Sequence, residues 1–227
     1  LHVGSLIQLM LIRHMQKNGH QPIVLLGGGT SKVGDPSGKD KSRQMLETSV
    51  IKKNSLSIKT NIENFCINNS NFPKVQYIDN AIWLDKLNYI NLLRDYGRHF
   101  SVNKMLSMDS VSGTLKREQT LSFLEFNYMI LQSYDFLELN NRENCEVQFG
   151  GSDQWGNIVM GVDLVRRINK KEVYGLTTPL ITASSGEKMG KTNKGAVWLD
   201  ENLLSSESYW QFWRNVEDKD VFKFLKL

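Results

Sequence analysis

Cysteine is scarce in this chain. Cys66 and Cys145 are the only two among 227 residues, which excludes a disulfide framework. The four histidines (His2, His14, His20 and His99) show no ligand spacing, so a structural metal site is not expected. No apolar run reaches eighteen residues and no signal peptide opens the chain. The cytoplasm is the default compartment, and a membrane partner is not expected. Neither sign of charge dominates. With 28 basic and 24 acidic residues the net charge is +4, which permits an RNA partner without demanding one. Repeats and low-complexity stretches are absent. Two common nucleotide motifs also fail in the glycine-rich stretch Gly27 to Lys39. Asp40 follows Gly38-Lys39 where the Walker pattern needs Ser or Thr, and Lys32 stands where a dinucleotide fingerprint needs its third glycine.

What is present is enough for a real core. Hydrophobic residues make up 40% and aromatic residues 10%, suited to one large domain or one and a half. Leu6 to Lys17 reads as a helix buried on most sides and ended by Asn18-Gly19, and Ile23 to Leu26 as a buried strand. A polar helix is expected from Ser42 to about Asn68, a strand over Phe72 to Ile78, and short helices over Leu84–Tyr96 and Val102–Met108. A long helix from about Leu121 to Leu139 precedes a strand at Glu146–Phe149, which stops at Gly150-Gly151. A helix over 153–168 with Ser152 as its N-cap, an irregular strand over Val173–Thr182 and helices at Tyr209–Trp213 and Val221–Leu227 complete the expectation. This alternation is the mark of a doubly wound α/β fold with a parallel sheet.

Three places carry candidate chemistry. His2 and Gly4 at a helix start offer an imidazole and dipole-oriented amides suited to phosphate. On the long helix, Tyr128, Gln132 and Asp135 fall at i, i+4 and i+7. At about 100° per residue they lie within roughly 60° of one another, a polar patch that needs partners or a ligand unless it faces solvent. Gly150-Gly151 lets a ligand approach the backbone at a strand's carboxyl end, with Asp153 and Gln154 beside it. The loop Ala183 to Thr192 adds Lys188 and Lys191 between glycines.

Together these pieces resemble class I aminoacyl-tRNA synthetases, with their His-Ile-Gly-His and Lys-Met-Ser-Lys-Ser signatures, and most closely the bacterial-type tyrosyl-tRNA synthetases. The resemblance runs through Leu1–Leu6, Gly27–Arg43, His99–Met105, Phe126–Asp135, Gly150–Asn157, Lys188–Thr192 and Tyr209–Trp213 in order. It implies a Rossmann-like catalytic domain with a helical connecting insertion, and an enzyme that joins tyrosine to ATP as tyrosyl-adenylate and then charges tRNA(Tyr). Mg²⁺ would enter with ATP, and no tightly bound cofactor is implied. His2 and Gly4 would hold ATP and the transition state. Asp35, Tyr128 and Gln132 would bind the substrate ammonium, Asp135 the phenol, and Asn80 would line the pocket. Gly151, Asp153 and Gln154 would contact the ribose and the amino acid. Lys39, Arg43, Lys188, Lys191 and Thr192 would surround the pyrophosphate, with Lys188 and Lys191 also in the ATP site.

Ser5 stands where the first signature has its second histidine. With Leu1 inside a motif, the sequence reads as a fragment; the resemblance implies a preceding strand bearing a tyrosine that also binds the phenol, and C-terminal RNA-binding modules. Residues 1–190 would be the catalytic domain, with a dimer-forming insertion at about 80–135, and 191–227 the end of the signature loop and the start of a helical domain. A homodimer would form around Phe123, while Lys52, Lys53 and Lys59 suit either an acceptor stem or a solvated face. Two rival readings stand beside this one: a tryptophan enzyme of the same subclass, and a synthetase-derived RNA binder without catalysis.

Overall fold

The computed structural model describes residues 1–35, 45–183, 189, 191–192 and 195–226; at 191, 192 and 195 the description is of the backbone. Ten α-helices are described: α1 (Leu6–Lys17), α2 (Thr48–Phe65), α3 (Ala81–Leu84), α4 (Tyr89–Asn91), α5 (Val102–Ser107), α6 (Asp109–Lys116), α7 (Phe123–Glu143), α8 (Trp155–Asn169), α9 (Ser206–Arg214) and α10 (Asp218–Phe224). The described strands are β1 (Ile23–Leu26), β2 (Gln76–Asp79), β3 (Val147–Gly151), β4 (Tyr174–Thr178), β5 (Lys191–Thr192) and β6 (Gly195–Ala196). They pair as β1–β2, β3–β4 and β5–β6. The fold is α/β, as expected.

Two compact units are present. The first comprises Leu1–Val24, Leu56–Tyr77 and Pro179–Leu227, the second Leu25–Ser55 and Ile78–Thr178. In the first, α1 buries Leu9, Ile12 and also Gln16. The Gln16 amide is not stranded in that apolar setting. Its Nε2 donates to the carbonyls of Ile67 (3.0 Å) and Pro73 (2.8 Å), and its Oε1 accepts from Ile67 N (3.0 Å). A buried polar group so satisfied ties α1 to the loop after α2. Trp213 of α9 meets Phe224 of α10 edge-on, with ring centroids 5.7 Å apart.

The second unit is built around α7 and α8. Phe136, Leu137, Ile158, Leu164 and Val165 are all buried there. Gly161 of α8 permits the close approach, because a Cβ at that point would already lie 3.3 Å from Phe136 Cδ1. A capping box starts α7: Ser122 N donates to Glu125 Oε2 (3.0 Å) and Glu125 N to Ser122 Oγ (3.2 Å). Asn144, left-handed at φ 52°, ends it. β3 and β4 run parallel, in register from Val147 opposite Tyr174 to Gly151 opposite Thr178, and α8 connects them.

Several expected boundaries move. Gly150 and Gly151 remain in β3, since pairing with β4 holds the chain extended through Gly151. The chain turns only at Ser152–Gln154, a 3₁₀ turn, so Ser152 is not the cap of α8; Gln154 holds that position without a capping bond from its side chain. The strand expected over 72–78 is confined to Gln76–Asp79, the helix expected from Ser42 begins at Thr48, and α6 has no counterpart in the sequence-based expectation.

Candidate active site

The second unit holds the amino-acid side of the expected site. Asp135 is 2% exposed on α7, yet both its oxygens are occupied. Trp83 Nε1 donates to Oδ1 at 2.7 Å, and Asn80 Nδ2 to Oδ2 at 2.8 Å. Asn80 is fully engaged as well. Its Nδ2 also donates to Thr30 Oγ1 (3.0 Å), and its Oδ1 accepts from Gly29 N (2.7 Å). These contacts explain the glycines after β1. A Cβ at Gly28 would sit 2.3 Å from Asp79 Oδ1, and one at Gly29 2.9 Å from Leu84 Cβ. The turn presses its bare backbone onto the end of β2, where Asp79 Oδ1 accepts from Gly28 N (3.1 Å) and Ala81 N (2.8 Å). The glycines therefore anchor the Asn80 network.

Burial pushes the Asp135 carboxyl up to about 7, against the opposing pull of the Trp83 and Asn80 donors; Glu138 and Asp79 add like charge. Neutral donors orient this carboxylate, and among the described residues no cation is one of the groups acting on it. Such an acceptor suits a ligand group that brings its own proton, such as a hydroxyl.

A second polar string lies in the same unit. Gln154 Nε2 donates to Asp35 Oδ2 (2.8 Å), and Asn157 Nδ2 donates to both Gln154 Oε1 (3.2 Å) and Gln132 Oε1 (3.0 Å). Three stretches distant in sequence, at Asp35, at Gln132 and at Gln154 with Asn157, are thereby joined. Tyr128 is half-buried one turn before Gln132 on α7, and Gly151 ends β3 beside the 3₁₀ turn that carries Asp153. Asp153 lines a cleft of about 420 Å³ with Asp109, Arg117, Ser152 and Trp155; among the described residues, none of the other expected site residues borders it. Sequence reasoning assigns no role to Trp83, Thr30 or Asn157. A signal for Trp83 exists, because it follows Asn80 by three residues, one helical turn.

The first unit holds His2, Gly4 and the backbone of Lys191 and Thr192 from the expected nucleotide side, whereas Gly151 and Asp153 belong to the second. His2 Nδ1 accepts from Gly4 N at 3.1 Å and so caps the 3₁₀ turn that leads into α1. In the neutral ring the proton then resides on Nε2, the nitrogen able to donate to an anion. A Cβ at Gly4 would lie 2.8 Å from the Met189 carbonyl oxygen, so the His2–Gly4 turn packs against the backbone of Met189. Val3 N donates to Val197 O (2.9 Å), and β5 pairs with β6 in an antiparallel ladder. The backbone of Lys191 and Thr192 forms β5. Lys39, Arg43 and Lys188 lie outside the described residues. On α2, Lys52 and Lys53 are exposed, whereas Lys59 pairs with Glu63 at 3.7 Å and stands over the Tyr77 ring. No cluster of metal-ligating side chains occurs among the described residues.

A family model described as "tRNA synthetases class I (W and Y)" matches residues 1–227. The chain belongs to that family of class I tRNA synthetases. Among its relatives, "Tyrosine–tRNA ligase" of Pelagibacter ubique is 62% identical over the whole chain, which covers 56% of that protein. The corresponding protein of Ehrlichia chaffeensis is 61% identical, with 54% of it covered. The chain thus spans about half the length of the curated relatives it matches. A C-terminally truncated mitochondrial tyrosyl-tRNA synthetase of Aspergillus nidulans superposes with a TM-score of 0.81 at 31% identity, over 100% of this chain and 67% of that one.

Proposed function

We propose that the complete protein is a tyrosine–tRNA ligase. It would activate tyrosine with Mg-ATP to tyrosyl-adenylate and pyrophosphate, then pass tyrosine to tRNA(Tyr). The observation that carries this reading is the buried Asp135, held by Trp83 and Asn80; it would accept a hydrogen bond from the ligand. A carboxylate would serve a phenol or an indole alike, and the relatives at about 60% identity, both named for tyrosine, favour the phenol. Asp35, Tyr128 and Gln132 would receive the ammonium, with Gln154 linking Asp35 to the amide string. Gly151 and Asp153 would meet the ribose, and His2 and Gly4 the phosphates. Lys39, Arg43, Lys188, Lys191 and Thr192 would meet the departing pyrophosphate. Catalysis is then positioning and charge stabilisation, with no covalent enzyme intermediate.

The quaternary form we infer is a homodimer. Phe123 is 69% exposed at the start of α7, and Ile90, Leu124 and Ile82 are also exposed on the second unit. No helix among the described residues is long and apolar enough to cross a membrane, and the cytoplasm is the expected compartment. ATP–pyrophosphate exchange by the complete protein tests the central step. Tyrosine should support it and tryptophan should not; exchange with tryptophan, or with neither, would contradict the reading. Charging of tRNA(Tyr) tests the second step and separates a ligase from a non-catalytic RNA binder.

A further inference from the structure

Trp83 has a second neighbour besides Asp135. The Arg142 guanidinium carbon lies 5.5 Å from the centroid of the Trp83 ring, and Arg142 Nε donates to Glu138 Oε2 at 2.6 Å. Glu138 is in turn touched by the Tyr134 hydroxyl, whose ionisation is pushed up by burial and by that carboxylate. Tyr134 is edge-on to Tyr96, with centroids 4.9 Å apart. Asp135, Glu138 and Arg142 are spaced by three and four residues along α7, so they share one face of that helix.

We infer that Arg142 and Glu138 are positioning residues for tyrosine recognition, acting through the Trp83 indole on Asp135. This rests on the proposed tyrosine-activating function. An exposed i, i+4 ion pair would do little. Here the Glu138 side chain is only 12% exposed, and the cation it holds sits over an indole whose N–H is already committed to Asp135. A cation over the ring is attracted by the π face, fixes the ring plane and polarises the N–H toward its acceptor. The remaining charged groups acting on Asp135 are Glu138 and Asp79, both of like sign. Arg142 thus brings a cation to this relay, reaching the carboxylate through the ring.

The test is a set of variants in the complete protein. Arg142→Met keeps the aliphatic contact and removes the charge; Arg142→Lys restores a cation. Arg142→Met should raise the tyrosine KM roughly three- to tenfold, with kcat and the ATP KM within about twofold of the parent. Arg142→Lys should return the tyrosine KM to within about twofold. The Trp83 Nε1–H resonance should move in Arg142→Met, and the pH midpoint it senses should rise, because the donor is weakened. An unchanged tyrosine KM with an unmoved indole resonance would overturn the proposal, as would a lysine variant no better than methionine. If the parent gives no tyrosine-dependent exchange, the function reading falls, and the indole resonance alone still decides whether Arg142 governs Trp83.

Discussion

Two polar clusters of the second unit handle their carboxylates in opposite ways. Asp135 is almost fully buried and is held by an indole and by an amide that also bonds Thr30. Asp35 is half-buried and ends a string of amides through Gln154, Asn157 and Gln132. A dry carboxylate with only neutral donors is expensive to keep ionised, so it discriminates sharply between ligands that supply a proton and those that do not. A partly exposed carboxylate contributes charge more than selectivity, because water can satisfy it. On the proposed function, the first cluster would decide which amino acid enters, and the second would hold its ammonium.

The largest expected effect removes that division. Asp135→Ala should lower the tyrosine-over-phenylalanine ratio of kcat/KM in pyrophosphate exchange by at least about 100-fold; the full 10⁴–10⁵-fold rejection of a ligand lacking its hydroxyl is a figure taken from tyrosyl-tRNA synthetases themselves. An unchanged ratio would take Asp135 out of the specificity site. Next in size, Lys188→Ala or Lys191→Ala should slow adenylate formation by roughly 10- to 1000-fold while leaving tyrosine affinity nearly unchanged, as read by pre-steady-state kinetics. A loss of tyrosine binding at unchanged rate would move those lysines into the first cluster's role.

Asp35→Asn sharpens the contrast from the other side. It should raise the tyrosine KM by about 10- to 100-fold, the effect of losing one charge-assisted hydrogen bond, with the tyrosine-over-phenylalanine ratio preserved. If that ratio collapsed too, the clusters would be one functional unit.

The gentlest effect is on stability. Because the folded-state pKa of Asp135 is raised from 3.8 to about 7, the folded protein binds the extra proton between those values, and stability from this group falls as pH rises through that window. Asp135→Asn should flatten the fall, on the order of a few kcal/mol in total, seen as a few degrees of Tm between pH 4 and 7. Parallel melting curves for parent and variant across that range would contradict the burial argument.

The elements bounded by strong local signals are legible in sequence. Leu6–Lys17 and Ile23–Leu26 match their expected limits, since an apolar run flanked by Asn18-Gly19 or by Pro22 and Gly27 leaves little choice. The capping pair Ser122 and Glu125 moves the start of α7 from the expected Leu121 to Phe123. α6 is hidden because Asp109–Lys116 carries Ser, Gly and Thr, weak helix formers. In the site, helical spacing puts Tyr128, Gln132 and Asp135 together, but the spacing of Trp83 from Asn80 names no partner: tertiary packing brings that indole to Asp135 from 52 residues away. Gln16 teaches the same lesson. It sits inside an apolar helix, and its partners at Ile67 and Pro73 are set by tertiary packing alone.

The most direct test of tyrosine selection by Asp135 is a crystal structure of the complete protein with tyrosine bound. The phenol oxygen is expected within about 3 Å of the Asp135 carboxylate, with the ammonium facing Asp35, Tyr128 and Gln132. A tyrosine bound the other way round, or with its hydroxyl more than about 4 Å from Asp135, would contradict that assignment.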